Sequence, residues 1–220
     1  MTRPLKRDAL GAVCIVQRTP PMRPEGLCVR RDTAAARAWL RPVARHLARR
    51  EAAALRAAAG LRGVPALVEF DGRSVLRGYL EGRPMHEALP ASPEYFRSAL
   101  RLLAALHGRG IAHNDLAKEA NWLCMPDGRA AIVDFQVAVV SRRRGRLFRA
   151  LAREDLRHLL KHKRTYLPER LTARQRALLA RRGPLAEAWR LLVKPPYRFV
   201  TRVLLGWPER LGPRERQDPA

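Results

Sequence analysis

The stretch that most constrains this chain is a loop dense in polar residues that opens directly onto a hairpin. It reads His113-Asn114-Asp115-Leu116-Ala117-Lys118-Glu119-Ala120-Asn121, and two short apolar runs, Trp122–Met125 and Ala130–Val133, follow around Pro126-Asp127-Gly128. That tripeptide supplies a fixed φ, a side-chain acceptor and a residue free to take positive φ, so the runs are expected to pair as antiparallel strands. The second run ends in Asp134-Phe135-Gln136, thirteen positions after Asn121. Taken singly, each acid has an ordinary explanation as a helix cap or a strand terminator. That explanation serves each residue singly but not Asp115, Lys118, Asn121 and Asp134 together, in this order and at this spacing.

The flanks supply the frame. Ser92-Pro93-Glu94 predicts a helix start, with Ser92 as N-cap and Pro93 in the first helical position. Phe96, Leu100, Leu103 and Leu106 mark its buried stripe, and Gly108 and Gly110 end it. Upstream, Leu10–Gln17 and Gly26–Arg31 read as strands around a turn at Pro20, Pro21 and Pro24. Val64–Phe70 and Ser74–Tyr79 read as a hairpin around Asp71-Gly72. Between them, Thr33–Ala59 carries Trp39, Leu40, Val43, Leu47, Ala54, Leu55 and Ala58 at helical spacing, closed by Gly60, and Pro42 predicts a break or a new start. Residues 141–182 read as largely helical, with 15 Lys/Arg against 3 acids, and 183–220 as a basic amphipathic extension carrying Trp189, Tyr197, Phe199 and Trp207.

The loop, the hairpin and the Asp-Phe that follows resemble the protein-kinase-like superfamily, whose catalytic loop runs His-x-Asp, Lys, Asn and whose metal-binding Asp follows the next hairpin. Leu106-His107-Gly108-Arg109-Gly110-Ile111 is similar to the family's approach to that loop, and Leu80-Glu81-Gly82-Arg83-Pro84 to its interlobe segment. The likeness spans residues 10–165 and looks nearest to the small bacterial RIO-type and lipopolysaccharide-core-sugar kinases, because only about twenty residues separate Asp134 from Asp155. It implies an α+β, two-lobed kinase-like fold: a small lobe over 1–82, a mainly helical catalytic lobe over 83–182, and the extension beyond.

What the resemblance implies for chemistry is an ATP-dependent phosphotransferase with Mg²⁺. Asp115 is the expected base, Lys118 the cation on the phosphate, and Asn121 and Asp134 the oxygen ligands of the metal. His113 braces the loop, Phe135 packs between the lobes, and Asp155 anchors the loop backbone from a later helix. Where the family has a strand lysine, Leu27-Cys28-Val29-Arg30-Arg31-Asp32 offers Arg31 or Arg30, with Glu51 as the ion-pair partner twenty positions after Arg31. Four departures stand in the sequence. Asp115 and Asn121 are six positions apart with Ala117 extra, Gln136 replaces a glycine, no Gly-x-Gly-x-x-Gly occurs in the first 30 residues, and the strand lysine is missing.

A formal net charge of +24 points to anionic partners. The acceptor hydroxyl is open between protein Ser/Thr and a saccharide or glycolipid. The charge and the aromatic extension favour an anionic membrane surface as a partner, and nucleic acid, resting on charge alone, is the least favoured. A catalytically inactive nucleotide- or partner-binding scaffold is the alternative, motivated by the same departures. Cys14, Cys28 and Cys124 have no CxxC spacing and are expected to be reduced thiols. With no leader pattern in the first residues and no long apolar run, the expected location is the cytoplasm, peripherally at the inner face of the plasma membrane.

Overall fold

Residues 2–18 and 26–180 are described by the structure, a computed structural model. The expected turn at Pro20, Pro21 and Pro24 and the extension over 183–220 lie outside these residues. The architecture is α+β, built on antiparallel sheets. Five strands, β1 (Thr2–Asp8), β2 (Gly11–Arg18), β3 (Gly26–Asp32), β4 (Leu67–Phe70) and β5 (Ser74–Gly78), lie in the order β1-β2-β3-β5-β4. The apolar pattern gives no sign of β1, which holds Arg3, Pro4, Lys6 and Arg7. The sheet takes it at an edge, where charged side chains and the missing N–H of proline are tolerated. In the β4–β5 turn, Asp71 Oδ1 accepts from the N–H groups of Arg73 (2.8 Å) and Ser74 (2.6 Å).

Helix α1 (Arg41–Ala57) packs against β4 and β5. The break expected at Pro42 takes the form of a 3-10 turn at Ala38–Leu40 followed by a fresh start, with Pro42 in the first turn of α1. The restart changes which face is buried. Ala44, Ala48, Glu51, Ala52 and Leu55 turn inward, whereas Trp39 and Val43, expected in the core stripe, are 62% and 49% exposed. Small alanines let the helix axis approach the sheet closely, and the bulkier residues are left on the outer side. That part of the expected stripe is corrected.

The second half begins with β6 (Arg83–Pro84), α2 (Met85–Ala88) and α3 (Pro93–Gly108). Ser92 Oγ accepts from Tyr95 N at 3.1 Å, the expected cap, and α3 buries Tyr95, Phe96, Ala99, Leu102, Leu103 and Leu106. Then come β7 (Ile111–Ala112), β8 (Trp122–Cys124), β9 (Ala130–Ile132), β10 (Val139–Val140), α4 (Arg146–Tyr166) and α5 (Ala173–Ala180). β8 and β9 form the expected hairpin, with Trp122 opposite Ile132 and Cys124 opposite Ala130, and β6 pairs with β8. β7 pairs with β10 through Ala112 and Val139. The polar loop therefore runs from β7 to β8, and the Asp134 segment runs from β9 to β10. Two ladders clamp both segments at both ends, which brings them face to face.

Gly110 marks one of these clamps. Its φ is +74°, its carbonyl accepts from Ser141 N at 2.8 Å, and a Cβ there would collide with the Ser141 carbonyl oxygen. The core beneath holds Phe96, Leu106, Leu116, Trp122, Ile132 and Phe135, all nearly inaccessible to solvent. Each such side chain contributes about 1.5–3 kcal/mol of burial free energy. Among the described residues, Cys14, Cys28 and Cys124 form no disulfide. Among the described residues, no helix is long and apolar enough to cross a membrane.

Candidate active site

Asp115 is the centre of the loop. Its Oδ2 accepts from Lys118 Nζ at 2.6 Å and from Asn121 Nδ2 at 3.0 Å, and the same amide also donates to the Asp115 carbonyl at 2.9 Å. The extra residue at Ala117 leaves this convergence intact. A 3-10 turn over Glu119–Asn121 turns Asn121 back toward Asp115 before β8 begins. Lys118 remains 56% exposed, so its ammonium is held at the mouth of the site rather than inside it.

Asp134 heads a second group. Its backbone is left-handed at φ 68°, as is that of Asn114 at φ 63°, a region that Asn and Asp enter more readily than other non-glycine residues. Asp134 Oδ1 accepts from Gln136 Nε2 and lies 3.7 Å from Arg31 Nη2. Arg31 in turn reaches Glu51, Nε to Oε2, at 3.2 Å. Strand geometry separates the two candidate arginines. Arg30 Nε donates to Ser74 Oγ at 3.1 Å, while Arg31 points to Glu51 and Asp134. Burial pushes the Asp134 carboxyl upward, but Arg31, the Gln136 amide, Arg77 and Lys118 outweigh it and hold the group below the ordinary aspartate value.

The two groups are stitched together by backbone. Val133 N donates to the Asn121 carbonyl at 3.0 Å, and His113 Nε2 lies 3.1 Å from the Val133 carbonyl. The His113 ring packs edge-on against Phe135 with centroids 4.7 Å apart. Burial holds the ring's pKa below the ordinary histidine value, against the opposing pull of Asp155, Asp115 and Asp134. From α4, the buried Asp155 accepts from His113 N at 2.7 Å and from Asn114 N at 2.8 Å, and lies 3.2 Å from His107 Nε2. One carboxylate thus holds the start of the loop and the end of α3.

Two further residues lie outside what the sequence reading singled out. Arg77 on β5 pairs with Glu51 from the other side, so a fully buried carboxylate sits between two guanidinium groups. Its signal in the sequence was a charged residue within the apolar run expected as a strand over Ser74–Tyr79. Arg50, the neighbour of Glu51 on α1, donates through Nη2 to the carbonyls of Val137 (2.9 Å) and Ala138 (3.0 Å). It ties the helix to the segment that follows Asp134, and nothing in the pattern of α1 marks it.

The donor set fits a hard cation. Asn121 commits its amide nitrogen to Asp115 and leaves Oδ1 without a hydrogen bond among the described residues, and Asp134 leaves Oδ2 in the same condition. Oxygen donors of this kind, one neutral and one anionic, suit Mg²⁺ completed by phosphate and water.

The packing around the loop has a consequence for pH. His162 is buried with Nε2 2.9 Å from the Leu116 carbonyl, and burial lowers its pKa. His158, one turn earlier, is pushed down to about 4 by burial and by Lys161 and His162. In the unfolded chain both take up a proton near the usual value of about 6.5. Below that pH the unfolded state binds more protons, so stability is complete above about 6.5 and falls as pH drops toward 4. The expected loss between pH 7 and 5 is about 1–3 kcal/mol. Urea denaturation at the two pH values measures it, and His158→Gln should reduce the difference.

Compared with models of known protein families and with curated proteins, the sequence matches none.

Proposed function

We propose that this chain is an ATP-dependent, Mg²⁺-requiring phosphotransferase of two-lobed, protein-kinase-like build, which moves the γ-phosphate to an acceptor hydroxyl. The observation that carries the reading is the Asp115 carboxylate, held between the Lys118 ammonium and the Asn121 amide and joined through β8 and β9 to the Asp134 group. In this reading the five-stranded sheet with α1 is the small lobe, and the cleft lies between it and the loop. Mg²⁺, when bound with ATP, would neutralise charge on the phosphates from Asn121 and Asp134.

The remaining work falls to the chain itself. Asp115 orients the acceptor O–H and takes its proton as the new O–P bond forms and the bond to the ADP oxygen breaks. Lys118, at the mouth, sets a positive charge beside the transferring group. Arg31, held by Glu51, faces the same side as Asp134 and would meet the phosphates where relatives of this type use lysine. The acceptor class, protein Ser/Thr or saccharide, is left for the assay to assign.

A scaffold without turnover is the second reading, favoured by one observation: Asp134 Oδ1 is already engaged by Gln136 and stands near a fixed cation. The test is transfer of labelled γ-phosphate from Mg-ATP into protein and cell-envelope extracts by the wild type and by Asp115→Asn. Phosphotransfer predicts label in the wild type and a loss of about 10²–10⁴-fold in the variant. Nucleotide binding with no label from either protein replaces the first reading by the second.

A further inference from the structure

The apolar residues that the packing of α1 leaves outside are not scattered. Trp39 is 62% exposed and Val43 49% exposed, one helical turn apart, and Leu47 continues the row half-buried. Arg50 lies further along the same side of the helix, and its guanidinium grips the carbonyls of Val137 and Ala138. From there the row passes to Val140, 42% exposed, and to Leu147 in the first turn of α4, 64% exposed. α1 and β10 are packed together, which sets the helix that carries Val43 and Leu47 beside the strand that carries Val140, and Leu147 follows it closely in sequence.

Arginines border the whole edge. Arg37, Arg41 and Arg49 are exposed beside the first half, and Arg142, Arg143, Arg144, Arg146 and Arg149 beside the second. No Asp or Glu occurs in residues 33–50 or 135–153. Among the described residues, none of these eight arginines has an ion-pair partner, in contrast to Arg97 and Arg129, which pair with Glu94 and Asp127. Exposed arginines with no ion-pair partner among the described residues, near exposed Trp, Val and Leu, match an anionic bilayer interface, where indole and aliphatic groups enter the headgroup boundary and guanidinium groups meet phosphates. A protein partner is fitted less well, because so many exposed arginines stand beside the apolar row, whereas the core of a protein interface is depleted of charge.

We infer that the α1–β10–α4 edge is a docking surface for an anionic lipid membrane. The inference does not depend on the phosphotransfer reading. The difficulty for any test is that a chain of net charge +24 adheres to anionic vesicles without a specific surface. A charge-neutral variant removes it. The full chain is sedimented with phosphatidylglycerol vesicles and with phosphatidylcholine vesicles, as wild type and as Trp39→Ser/Val43→Ser. Both positions are exposed, so the thermal transition should be unchanged. The wild type is expected to bind the anionic vesicles selectively, and the double variant to bind them about tenfold less well. Arg142→Ser/Arg143→Ser/Arg144→Ser should weaken binding more than Arg97→Ser/Arg101→Ser/Arg129→Ser, which removes the same charge elsewhere. Equal binding by wild type and the Trp39 variant overturns the inference, as does failure of the wild type to bind. A Trp39-dependent self-association seen in sedimentation equilibrium, without vesicle binding, overturns it in favour of a second copy of the chain.

Discussion

Asp134→Asn is expected to lower Mg-ATP-dependent phosphate transfer by about 10³-fold or more while leaving the fold in place. Asparagine accepts the left-handed backbone that Asp134 adopts, whereas alanine adds strain there, so the conservative change separates charge from conformation. What is lost, in the proposed chemistry, is the anionic ligand. A loss of about 4 kcal/mol in transition-state stabilisation corresponds to that thousandfold, within the range expected for a metal-bound phosphate. Because neighbouring cations and the Gln136 amide hold the Asp134 carboxyl below its usual pKa, its stabilising contribution is present above about pH 4 and is lost only as pH falls through the lower folded-state value. The acid limb of an activity profile should therefore not be set by Asp134. Single-turnover transfer by wild type and variant at pH 7, with circular dichroism as the control on folding, measures the effect. Undiminished transfer by the variant would remove Asp134 from the proposed chemistry.

Glu51→Ala is expected to be the most destabilising single change in the small-sheet half, by about 3–5 kcal/mol. The carboxylate is fully buried and stands between Arg31 and Arg77, whose side chains are only 12% and 10% exposed. Removing it leaves two like charges facing each other with little water to screen them. Since about 1 kcal/mol moves the midpoint by some 2–4 °C in a chain of this size, a drop of roughly 10 °C is expected. The double variant Glu51→Leu/Arg77→Met should recover much of it, because the apolar pair fills the space, one of the two facing guanidinium groups is gone, and Arg31 keeps Asp134 at 3.7 Å. If the double variant is no more stable than Glu51→Ala alone, neither a cavity nor the charge of Arg77 accounts for the cost. Thermal and urea unfolding of the wild type and the two variants decide this.

Much of the frame could be read from residue order, for reasons that differ by element. The Ser92 cap, the Pro-Asp-Gly turn and the Asp71-Gly72 turn are local chemistry, so each is written in the residues that make it. The meeting of Asp115, Lys118 and Asn121 is also local, spanning only a few positions. Arg31 beside Glu51 was legible only through resemblance, since nothing in the strand itself distinguishes Arg31 from Arg30. β1 and the outward turn of Trp39 and Val43 were not legible. The first depends on an edge offered by β2, and the second on how closely an alanine face settles onto a sheet. Arg77 and Arg50 act across the fold, on partners 26 and 87 positions away, and sequence spacing carries no trace of such pairs.

The Asp155 clasp also fixes an order of events during synthesis. The carboxylate that seizes the amides of His113 and Asn114 lies 42 and 41 positions downstream of them. As the chain leaves the ribosome, the sheet, α3 and the β8–β9 hairpin emerge before α4, and the amides of His113 and Asn114 have to wait for an acceptor on a helix not yet translated. The start of the loop is therefore fastened later than the rest of it.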